Sequence, residues 1–208
     1  MGTEIYGSIE FRHPGVGTDY YEGESWVAAM DLWPLYDQSD YAAFGLLFGA
    51  RNDAGFQPVA AGRGLPDDLS STVRTQLGPS VANGEMAGAT WVTWAQLADL
   101  DPTCLPGGFV GRVSWSTPAL PSLRRRQLVP AQWPADVLAV TGPPPPGWDP
   151  AHGPLDWTAD SGLQCRYEPV HAAALLGPGT GWPHVFAVMK ALADRFGAEA
   201  VCLVVAFD

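Results

Sequence analysis

Positive charge is the scarcest resource in this sequence. Lysine occurs once, at Lys190, and arginine raises the basic total only to 11 against 22 acidic residues, for a net charge of −11. A chain with that balance repels a phosphate backbone or an anionic bilayer on average, so neither nucleic acid nor membrane is an expected partner. The acidity gathers early. Glu4, Glu10, Asp19, Glu22, Glu24, Asp31, Asp37 and Asp40 are opposed before position 41 only by Arg12. The one basic run, Arg124-Arg125-Arg126, is the pattern of a solvated turn or salt-bridging patch, with an anion contact as the lesser reading.

Cysteine is nearly as rare. Cys104, Cys165 and Cys202 are odd in number, widely spaced and without a CxxC pair, which excludes a disulfide framework and a zinc knuckle and fits a reducing cytoplasm. Long apolar runs are missing too. The longest, Ala200 to Phe207, falls far short of the roughly 20 residues that span a bilayer, and Met1-Gly2-Thr3-Glu4-Ile5 has no basic region leading into an apolar stretch. Neither export nor membrane insertion is expected. The glycine-rich stretch Gly49 to Gly64 matches no phosphate-binding loop, and His13, His152, His171 and His184 have no metal-ligand spacing. No serine sits in a GxSxG elbow. The expected cofactor and metal content is therefore none.

What the chain does have is bulk. With 208 residues, 47% of them hydrophobic and 11% aromatic, it can bury the core of one domain. Residues 4–11 alternate Ile5, Gly7, Ile9 and Phe11 with Glu4, Tyr6, Ser8 and Glu10, the pattern of a half-buried strand with one core face and one polar face. Residues 25–32 predict a second strand and a hairpin with the first. Ser39 or Asp40 caps a short buried helix near 39–49 that stops at Gly49. Pro66-Asp67-Asp68 reads as the first turn of a helix over 67–77, and Trp94, Leu97 and Leu100 predict another over 91–100. Val185, Val188, Met189, Leu192 and Phe196 define a helix over 183–196, and Val201 to Phe207 is a strand buried on both faces, placed centrally in its sheet.

Residues 102–156 hold most of the prolines, and Trp115, Trp133 and Trp148 lie among them. Large aromatics mark burial, so this stretch is expected to be an insertion packed on the domain rather than a linker. The predicted fold is a single α+β domain over 1–208. Its sheet is mixed or mainly antiparallel with the C-terminal strand central, its helices pack on that sheet, and the Pro/Trp-rich segment covers it.

Several blocks, in order, carry a family resemblance. They are Met1-Gly2-Thr3-Glu4-Ile5-Tyr6-Gly7, then Tyr41 to Asn52, Phe56-Gln57-Pro58-Val59-Ala60, Arg63-Gly64-Leu65-Pro66-Asp67-Asp68-Leu69-Ser70, Trp91 to Leu97, and Val201 to Asp208. The chain resembles a widespread group of small bacteriophage and bacterial proteins with a Met-Gly-Cys-Asp-Ile-His-like opening, an Arg-Gly-Leu-Pro block and a terminal strand ending in Phe-Asp. A bacterial or phage origin also suits its wealth of Ala, Gly, Pro and Arg. Members of that group carry a His where Tyr6 stands and a His-rich segment where this chain has Asn83 to Thr90. The resemblance implies a fold and no reaction, and the missing histidines imply that any metal they would hold is absent here.

A polar set remains as a candidate site. If the first and last strands are antiparallel neighbours, Glu4 and Asp208 meet at one sheet end beside Tyr6, where paired carboxylates perturb each other and act as acid and base. Arg63, between Gly62 and Gly64, suits an anion or carbonyl clamp, and Asp67, Glu85 and Trp91 join it as candidate substrate-binding residues. The structural alternative makes Arg63 a loop staple on carbonyls or Asp67, with Glu4 and Asp208 as solvated strand ends. Two functions follow. One is a small-molecule-binding protein or metal-independent enzyme of hydrolase, isomerase or cyclase type. Its pocket would lie near the first strand and the Arg63 loop, lined by tryptophans and closed by residues 102–156. The other is a non-catalytic interaction factor whose acidic surface engages a basic protein partner. A concave pocket favours the first, an exposed aromatic patch without one the second.

Overall fold

Seven consecutive side chains from Val201 to Phe207 are buried, which only a strand covered on both faces achieves. This strand, β8 (Val201–Phe207), is internal to a sheet ordered β2-β1-β8-β3, with β1 at Ile5–Arg12, β2 at Trp26–Asp31 and β3 at Ala87–Thr93. A second sheet, ordered β5-β4-β7-β6, contains β4 (Gly111–Ser116), β5 (Arg125–Val129), β6 (Leu155–Thr158) and β7 (Gln164–Pro169). Every strand pair in both is antiparallel. The structure, a computed structural model, describes residues 3–53, 55–103, 111–120, 122–130, 132–149 and 153–208. Cys104, His152 and the first two residues of the opening signature lie outside them.

Helices complete an α+β domain: α1 (Tyr41–Phe48), α2 (Ser71–Ala82), α3 (Trp94–Ala98), α4 (Ala135–Thr141), α5 (Ala172–Leu176) and α6 (Trp182–Phe196). Asp40 starts α1 by accepting from Ala42 N at 3.1 Å and Ala43 N at 3.2 Å, and Gly49 ends it at φ 74°, a conformation glycine adopts without strain. The amphipathic α6 buries Val185, Met189 and Ala193 in the main core, alongside α1 and the faces of β1 and β8 that carry Ile9, Leu203 and Val205. At about 1.5–3 kcal/mol per large apolar side chain, β8 is a principal anchor of the fold.

The first and last strands are neighbours, in a register that runs from Ile5 opposite Phe207 to Phe11 opposite Val201. Their backbones pass so closely at Gly7 that a β-carbon there would strike the Val204 carbonyl oxygen. The polar face of β1 is not left to solvent. Leu69 and, from α2, Val73 and Leu77 pack with Cys202 and Val204 over that face, so Ser8 and Glu10 are both 0% exposed.

Three local expectations change. The second helix begins at Ser71 rather than Asp67 because the Ser70 hydroxyl accepts from Val73 N and fixes the cap there. Trp91 to Thr93 are strand, not helix: they pair with Val204, Leu203 and Cys202 of β8, and the short α3 starts only after Thr93, whose side chain forms a capping box with Gln96. The Pro/Trp-rich stretch supplies β4, β5 and α4, and with β6 and β7 it builds a sheet with an aromatic core of its own. There Trp133 stacks on Tyr167 with ring centroids 6.1 Å apart and Trp148 meets the same ring edge-on at 4.7 Å. Gly111 makes room for Tyr167, since a β-carbon at that position would enter the ring.

Candidate functional site

The antiparallel pairing of β1 and β8 brings Glu4, Tyr6 and Asp208 together. The Glu4 backbone N–H donates to Asp208 Oδ1 at 2.6 Å, and the Tyr6 hydroxyl lies 2.9 Å from Glu4 Oε2 and 3.5 Å from Asp208 Oδ2. One phenol proton is thus offered to two carboxylates. The hydrogen bond to Glu4, then burial, then the charges of Glu4 and Asp208 push the Tyr6 hydroxyl up to about 12. At neutral pH it is a proton donor that ties the two acids together, not a base.

This cluster stands at one side of a cavity of about 440 Å3 whose wall includes Glu4, Tyr6, Asp31, Trp33, Tyr36 and Asp37. Asp31 ends β2, and Trp33, Tyr36 and Asp37 follow in the connection to α1. Gln76 of α2 closes the wall beside Ser8, whose hydroxyl is 2.9 Å from Asp31 Oδ1 and 3.0 Å from Gln76 Oε1. Among the described residues no lysine, arginine or histidine lines the cavity. Trp33 is 78% exposed at its rim, whereas Tyr36 is buried against Trp182 with ring centroids 4.3 Å apart. Burial pushes the Tyr36 hydroxyl up, and among the described residues it has no hydrogen-bond partner of good geometry. The arrangement concentrates negative charge next to aromatic faces, which suits a cation.

The other candidates lie elsewhere. Arg63 donates through Nη1 to the Trp91 carbonyl at 3.0 Å and to Gln96 Oε1 at 2.8 Å, with Nη2 at 3.4 Å from the Val59 carbonyl. Its guanidinium also lies 4.9 Å from the Trp91 ring centroid. These contacts sew the glycine-flanked loop to β3 and α3, and Arg63 forms no ion pair with Asp67 among the described residues. Asp67 offers its backbone carbonyl to Arg74 at 2.7 Å, and Glu85 accepts from the Ser80 hydroxyl at 3.0 Å beyond the end of α2. None of Arg63, Asp67 and Glu85 lines the acidic cavity, and none of the described residues of 102–156 closes it. Trp91 lines a separate, smaller cavity.

Asp31, Trp33, Tyr36 and Asp37 escape a reading of the sequence because they follow one another through a strand end and a turn with no motif spacing. The only hint is that acidic and aromatic residues alternate densely there. Among the described residues no three His, Cys, Asp or Glu side chains are grouped to hold a metal ion, and no helix is long and apolar enough to cross a membrane. No protein-family model, curated protein or solved structure matches this chain.

Proposed function

We propose that this protein binds a small organic cation in the cavity between Glu4, Asp31 and Asp37. The observation that carries the reading is a wall with three carboxylates, three aromatic side chains and, among the described residues, no basic one. A bound ammonium would answer the uncompensated charge, and Tyr6 and Trp33 offer it ring faces. The Tyr6 hydroxyl holds Glu4 toward Asp208, which presets the carboxylate before the ligand arrives. Binding is the whole of the activity this geometry supports.

The test is calorimetric titration of the full chain with choline and putrescine, each beside its neutral isostere, 3,3-dimethylbutan-1-ol and butane-1,4-diol. Both cations are expected to bind and both alcohols to fail, with affinity falling as salt is raised. Glu4→Gln and Asp37→Asn should each weaken binding by about tenfold, the loss of one charge contact. Equal binding of cation and alcohol, or none of either, refutes the proposal. An arginine-rich peptide that binds where small cations do not would instead support a partner-binding acidic surface, with exposed Trp33 as its anchor.

A further inference from the structure

Beyond Ser8, on the same face of β1, lies Glu10, a carboxylic side chain that is 0% exposed. Its Oε1 accepts the Ser70 backbone N–H at 3.2 Å, while its Oε2 has no hydrogen-bond partner among the described residues. A buried carboxyl with one empty oxygen is costly unless something else completes it. Glu10 forms part of a cavity of about 220 Å3 together with Arg12, Trp26, Asp68, Trp91 and Cys202, and shares no residue with the acidic cleft. The Asp68 Oδ2 is held by the Trp26 indole N–H at 2.9 Å, which fixes that carboxylate in the wall. Arg12 is exposed and enters no ion pair among the described residues.

We propose that this cavity is a binding site for a small apolar α-amino acid. An ammonium group carries three N–H donors and no acceptor, which matches the empty oxygen of Glu10 beside the Asp68 carboxylate. A carboxylate is the natural partner of the free Arg12 fork. Trp26 and Trp91 supply apolar wall for the ligand's side chain. A simple amine would leave Arg12 unused, and a simple acid would meet two carboxylates, so the zwitterion alone satisfies all three charged groups. Cys202 lies directly opposite Glu10 across the strand pair, and burial keeps its thiol protonated, so it serves as a small apolar wall rather than a nucleophile.

Binding is coupled to a proton. Burial raises the Glu10 carboxyl above its usual range, the Asp68 and Glu24 charges add to this, and the Ser70 hydrogen bond opposes it. The titratable and charged groups around it are therefore Arg12 on its own strand, Cys202 on β8, and Asp68 and Glu24 on the flanking loops. An incoming ammonium requires the ionised form, so the ligand displaces the proton and affinity rises with pH through the titration of Glu10.

The decisive experiment is calorimetric titration of the full chain with leucine, isoamylamine and 4-methylpentanoate, repeated in buffers of different ionisation enthalpy. Leucine should bind about tenfold more tightly than the amine, and the acid should not bind. At about pH 5, just above the ordinary carboxyl value of 4.5, the heat of leucine binding should vary with the buffer, as proton release demands. Glu10→Gln should lose leucine and amine alike, and Arg12→Gln, at an exposed position, should lower leucine to the affinity of the amine. The proposal is overturned if leucine shows no saturable binding at millimolar concentration, if leucine and isoamylamine bind equally well, or if neither variant changes leucine affinity.

Discussion

Replacing Glu10 by glutamine should make the protein more stable at neutral pH, and the gain has a ceiling set by linkage alone. Burial raises the folded-state pKa of Glu10 above its ordinary value of 4.5. Between the ordinary value and the raised one the folded chain holds more protons than the unfolded chain, so stability falls as pH climbs through that window. Each pH unit of the window is worth about 1.36 kcal/mol, which limits the loss between pH 4.5 and pH 7 to about 3.4 kcal/mol. Glutamine has the shape of the protonated acid, keeps an oxygen for the Ser70 N–H and never ionises. For a chain of this size about 2–4 °C accompanies each kcal/mol, so Glu10→Gln should melt higher than the parent at pH 7 by at most about 14 °C. Scanning calorimetry of both proteins from pH 4.5 to pH 7.5 isolates this group, since all other titrating residues are shared. The difference in melting temperature should be near zero at the acid end and widen as pH rises. A parent more stable than the variant at pH 7, or a difference that pH does not move, would refute the reasoning.

Two further substitutions probe the framework. Arg63→Lys keeps the charge but loses the fork that joins the carbonyls of Trp91 and Val59 to Gln96. Thermal melts should show a drop of a few degrees, while choline titrates as in the parent, and an unchanged melt with lost choline binding would return Arg63 to the site. Gly111→Ala places a β-carbon inside the Tyr167 ring. Overpacking of roughly 1–3 kcal/mol should lower the melting temperature and change the near-ultraviolet circular dichroism of the tryptophan cluster, so a parent-like melt and spectrum would contradict the packing described.

The elements legible in the sequence are those whose pattern is uninterrupted. The terminal strand and α6 were readable to within a residue because apolar spacing alone defines them, and α1 because Asp40 and Gly49 bracket it. The second sheet was hidden. Its strands are four to six residues long, set among prolines, and acquire their order from cross-strand partners such as Trp115 with Cys165 rather than from local periodicity. Trp91 to Thr93 looked helical because a true capping box begins at Thr93, whereas their pairing with β8 joins segments far apart in the chain. The same distinction governs the candidate sites. Glu4, Tyr6 and Asp208 could be assembled from one assumption about strand direction. Glu10 could not, because nothing near it in sequence announces that α2 folds down over the polar face of β1.

The central position of β8 also dictates an order of events during folding. Strands β1 and β3 each pair with β8, and both precede it by a long stretch of chain. The whole second sheet lies in between and is contiguous, so a growing chain can close that sheet while the first still waits for its middle strand. Contacts as distant as Ile5 with Phe207 make the closing step slow by topology. During that wait β1 presents an unpaired edge, and a row of Tyr6, Ser8, Glu10 and Arg12 along one of its faces makes it a poor template for other nascent chains. Seen in this light, the ionised Glu10 that weakens the finished protein protects the unfinished one, and a variant selected for heat resistance at that position should be the one that aggregates on synthesis.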